Sequence, residues 1–128
     1  MRMYAAGQWI DAEKKIDVLS PYDGTVVDRV PCADLGDVEN TMERAVRGAR
    51  TMAALPGYDR YRILRAAADL IETRSEEFAR TITLEEGKSL AESRFEVSRA
   101  VQTMTLSAEE AKRLHGETIP FDGAPGAA

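Results

Sequence analysis

Residues 87–116 read GKSLAESRFEVSRAVQTMTLSAEEAKRLHG, and the spacing within this run decides the kind of chain it belongs to. Ser89 followed three residues later by Glu92 is a capping-box pattern, in which a hydroxyl and a carboxylate each accept a backbone N–H that a first helical turn leaves unpaired. Leu90, Val97, Val101, Met104, Ala108, Ala111 and Leu114 then recur mostly at four- and three-residue steps, which puts them on one helical face. The spacing predicts a helix of about 25 residues that starts at Ser89 and stops at Gly116.

Working toward the amino terminus, Glu85-Glu86-Gly87 closes an earlier helix that Ser75 opens and that carries Phe78 and Ile82, with Gly87 free to take the left-handed cap. Before it, Ile63, Leu64, Ala67, Leu70 and Ile71 mark another helix for which Asp59 is the candidate cap. Leu55-Pro56-Gly57 ends a first helix whose apolar face is Leu35, Val38, Met42, Ala45, Ala49 and Met52, capped by Asp34. Upstream of Asp34 the period shortens. Arg2–Ala5 and Gln8–Ile10 read as strands of a tight hairpin turning at Ala6-Gly7. Lys15–Leu19 and Thr25–Val30 read as a second pair, joined by Ser20-Pro21-Tyr22-Asp23-Gly24, where proline fixes φ and glycine supplies positive φ. After Pro120 the run Phe121-Asp122-Gly123-Ala124-Pro125-Gly126-Ala127-Ala128 has no core-forming pattern and reads as a connector cut part-way.

The expected organisation is therefore a hairpin region over 1–33, a helical region of about four helices over 34–116, and a truncated connector over 117–128, together one partial domain. The fold class is mostly α with amino-terminal β-hairpins. Strands do not alternate with helices, so the chain has no parallel sheet of its own for its apolar helix faces to cover.

Composition narrows the function. The 128 residues are 44% hydrophobic and 30% charged, the balance of a soluble globular segment. Seventeen Lys and Arg against 22 Asp and Glu give a net charge of −5 with the signs interspersed, so no cationic face follows a phosphate backbone and nucleic acid is excluded as a partner. One cysteine and one histidine are too few for a disulfide framework or a zinc site. No apolar run approaches the length of a membrane span or an export signal, and the cytoplasm is the expected compartment.

Each candidate site has a plainer structural explanation. Gly87-Lys88-Ser89 resembles the end of a phosphate-binding loop, but the glycine required five positions earlier is Ile82, and a helix stop followed by a capped start explains the tripeptide better. Cys32 sits two residues before a helix, where a thiol can be acidified, yet Asp34 and Asp37 oppose that effect and no histidine lies nearby in sequence. His115 reads as a capping residue at the end of the last helix. Glu85 and Glu86 point about 100° apart on a helix, as a solvated end rather than an acid and base pair. Met42, Met52 and Met104 read as gap-filling core, and Trp9 as a packing anchor for the first hairpin. No catalytic, cofactor-binding or metal-binding residue is assigned.

In order along the chain, Gly7-Gln8-Trp9, Ser20-Pro21-Tyr22-Asp23-Gly24-Thr25-Val26-Val27, Arg60-Tyr61-Arg62-Ile63-Leu64, Leu84-Glu85-Glu86-Gly87-Lys88-Ser89, Glu96-Val97 and Gly116-Glu117-Thr118-Ile119-Pro120 resemble the opening of the aldehyde dehydrogenase superfamily. Glu117-Thr118-Ile119-Pro120-Phe121 is most similar to the branch that acts on lactaldehyde, glyceraldehyde 3-phosphate or phosphonoacetaldehyde. The resemblance implies an α/β protein several times longer, cytoplasmic and homo-oligomeric, with a Rossmann-like domain for NAD or NADP. In that family a cysteine thiolate attacks a small aldehyde, hydride passes to the cofactor, and a glutamate activates water to release the carboxylic acid. All those residues lie beyond Ala128, and Cys32 does not match the surroundings of the family nucleophile. A family cation site uses backbone near Val18 and Leu19 and a carboxylate near Glu85.

The expectation is thus an amino-terminal segment of a dehydrogenase that binds no cofactor and is inactive alone. The alternative is a stand-alone helical module that docks on a full-length dehydrogenase subunit.

Overall fold

The computed structural model describes residues 1–119. In chain order they form β1 (Met3–Ala5), β2 (Gln8–Ile10), β3 (Lys15–Leu19), β4 (Val26–Pro31), α1 (Leu35–Ala54), α2 (Gly57–Thr73), α3 (Ser75–Glu86) and α4 (Leu90–Ala111). The expected carboxy-terminal connector from Pro120 onward lies outside the described residues.

Both hairpins are antiparallel. In the first, Tyr4 faces Trp9 across the strands, and their rings meet edge to face at 5.2 Å, a geometry aromatic quadrupoles favour. Ala6 and Gly7 take φ of 52° and 81°, the left-handed pair that a two-residue hairpin turn requires. In the second hairpin Ile16 faces Val30, and the register slips between Val18 and Leu19. That slip accompanies a strand start at Val26 instead of Thr25. The Thr25 N–H and hydroxyl both donate to Asp23 Oδ1, at 3.1 and 2.8 Å, which holds Thr25 in the turn.

The helices follow the expected order with two shifted ends. Asp34 caps α1 through a reciprocal box with Asp37. However, α2 begins at Gly57, two residues before Asp59, and has no side-chain cap. The third and fourth N–H groups of the helix, those of Asp59 and Arg60, donate to the Pro56 carbonyl at 3.0 and 3.2 Å. At the other end, α4 closes at Ala111 after 22 residues. The backbone N–H groups of Lys112 and Arg113 bond to carbonyls only three residues back, a tightening that ends a helix, and Leu114 and His115 fall outside it.

The core lies where α4 packs along both α2 and α3. It is built from small side chains: Ala68, Ala79, Ser93 and Ala108 are fully buried, and Val97 nearly so. Small residues let helix backbones approach closely. Such an approach is seen at Gly57, where an added Cβ would sit 2.9 Å from the Ala111 carbonyl oxygen. Ser93 is satisfied across the α3–α4 contact by the Thr83 hydroxyl at 3.0 Å. At the surface, Arg94 forks onto both oxygens of Glu76 at 2.8 and 2.9 Å, tying α4 to α3. The expected apolar faces are only partly buried. Met42 and Met52 are 62% and 39% exposed, not gap-filling core, and Leu70 on α2 is 65% exposed. These positions lack a covering layer among the described residues.

Two outcomes test this packing. Gly57→Ala should destabilise the chain by about 1–3 kcal/mol in urea titration through backbone overlap, whereas Gly48→Ala, in open space on α1, should stabilise by about 0.5–1 kcal/mol. The Glu76 carboxyl is held below its ordinary 4.5, chiefly by the Arg94 hydrogen bonds. A depressed carboxylate stabilises the fold above its unfolded value and loses that contribution as pH falls through the folded one. Thermal midpoints should therefore hold from neutrality to about pH 5 and drop below it, with a smaller acid drop in Arg94→Leu.

Candidate functional site

Gly87-Lys88-Ser89 is a junction between two helices. Gly87 terminates α3 at φ 74° in the left-handed region. An added Cβ there would lie 2.8 Å from Pro21 Cγ, so the turn of the second hairpin rests directly on the cap. Ser89 caps α4 and forms the box with Glu92. The Ser89 hydroxyl donates to Glu92 Oε2 at 2.7 Å, and this, with the Ser89 backbone N–H, holds the Glu92 carboxyl below the usual range.

The Lys88 ammonium lies 2.6 Å from both Glu86 Oε2 and Glu96 Oε2. Hydrogen bonds to those carboxylates, Glu86 first, push its pKa up. A lysine between two carboxylates is neutralised where it stands, and the N–H groups of Gly87 and Ser89 on either side of it donate to the Thr83 carbonyl and to Glu92 Oε2. The tripeptide punctuates the fold and joins α3 to α4.

The remaining candidates are dispersed. Cys32 is half-buried between β4 and α1, its N–H bonded to the Lys14 carbonyl at 2.9 Å and its Sγ 3.9 Å from the Ala33 carbonyl oxygen. His115 is exposed beyond α4, with Nδ1 2.7 Å from the Arg113 carbonyl oxygen. Its expected place at the helix end is therefore corrected: the helix has already closed, and the ring bonds a local turn. Glu85 and Glu86 end α3 in solvent. Val18 and Leu19 flank the register slip, and the Pro21–Gly87 contact brings their hairpin to the end of α3 that carries Glu85. Among the described residues no three His, Cys, Asp or Glu side chains converge to hold a metal, and no helix is long and apolar enough to cross a membrane.

Sequence reasoning overlooked the Arg94–Glu76 fork and the burial of Ser93. Residues 18 and 10 positions apart meet there across two helices, a separation no local pattern reports.

The aldehyde dehydrogenase family profile matches residues 9–127. The chain is 40% identical over 124 residues to 3-sulfolactaldehyde dehydrogenase of Priestia aryabhattai, covering 97% of this chain and 26% of that protein. Among solved structures it superposes with a TM-score of 0.93 and 34% identity on aldehyde dehydrogenase 21 of Physcomitrella patens, in complex with the reaction product succinate, over 97% of this chain and 26% of that one. A NAD-dependent benzaldehyde dehydrogenase of Corynebacterium glutamicum gives a TM-score of 0.87 at 28% identity, over 98% and 28% of the two chains. The chain thus spans about a quarter of the length of these relatives, and over that span both the family match and the superposition take in nearly all of it: this chain belongs to the aldehyde dehydrogenase family.

Proposed function

We propose that this chain is the scaffold quarter of an NAD- or NADP-dependent dehydrogenase that oxidises a small aldehyde to a carboxylic acid. The observation that carries the reading is the match of nearly the whole chain to about a quarter of its relatives at high structural similarity. The exposed apolar side chains support it. Leu70, Phe95 and Leu106 are 65–67% exposed, as faces meant to be covered by the rest of a subunit would be.

The substrate class follows from relatives whose names carry sulfolactaldehyde and succinate, both small and anionic. In this reading the nucleophile, the oxyanion donors, the water-activating carboxylate and the cofactor site all belong to the remaining three-quarters of the fold. Cys32, beside a strand end and with its Sγ against a backbone carbonyl, is structural.

The second reading, a module that docks on a complete dehydrogenase subunit, draws on the apolar face of α1, which has no buried residue of its own.

Activity separates the possibilities. The purified 128-residue chain should form no NADH or NADPH with aldehydes, and Cys32→Ala should change nothing; turnover abolished by that substitution would overturn the reading. Supplied with a dehydrogenase relative lacking the matching first quarter, the chain should restore aldehyde oxidation. A scaffold should also bind apolar dyes and melt broadly, whereas a sharp melt without dye binding would favour the docking module.

A further inference from the structure

We draw no further inference here: the strongest candidate, the open groove along α4 lined by Lys88, Glu92, Phe95, Arg99 and Thr103, is an unpartnered face, and nothing among the described residues shows what covers it.

Discussion

The close approach of α2 to α4 is the constraint on which the rest of the structure depends. Gly57 lies against the Ala111 carbonyl with no room for a side chain, and Ala68 and Ala108 are buried with no exposed surface. Two helices this near must carry small residues at the contact, and their larger apolar residues are displaced to the flanks and outer faces. Exposed Leu70 and Leu106 are the counterpart of that geometry: a tight seam inside leaves bulky side chains outside.

The α3–α4 junction holds the second seam and also seats the second hairpin. Gly87 turns the chain in the left-handed region while Pro21 rests on it, so one glycine meets a backbone demand and a packing demand together. Lys88 with Glu86 and Glu96, and Arg94 with Glu76, draw the same two helices together at the surface. Such exposed pairs contribute modestly one by one and act mainly by fixing orientation. At this junction the residues that carry the family resemblance end one helix, start the next and seat the turn of the second hairpin.

Features set by neighbours in sequence were legible in advance. The Asp34 and Ser89 caps, the left-handed Gly87 and the Ala6-Gly7 turn depend on side chains within a few residues of one another, and all appear in place. Features set across the fold were not. The start of α2 at Gly57 and the end of α4 at Ala111 meet one another, so neither boundary follows from its own segment. Met42 and Met52 occupy an amphipathic face, but periodicity identifies a face without stating what covers it. Alanine and serine carry little weight in an apolar pattern, which is why Ala68, Ala79 and Ser93 were hidden. As for the candidate site, the helix-junction role of Gly87-Lys88-Ser89 was readable, while the Lys88–Glu96 partnership, two helical turns into α4, was not.

Helix α1 has one further consequence. With no buried side chain and a capping box at its start, its 20 residues draw on local hydrogen bonds and propensity, without the tertiary packing that supplies most helical stability in proteins. It therefore constitutes its own opening unit, able to unravel while the α2–α3–α4 seam stays closed. Amide protons from Val38 to Ala54 would exchange with solvent deuterium far ahead of those in α4, and a protease would find its first cut within this helix. The chain thus carries two stabilities in one polypeptide, one set by packing and one left to the helix alone.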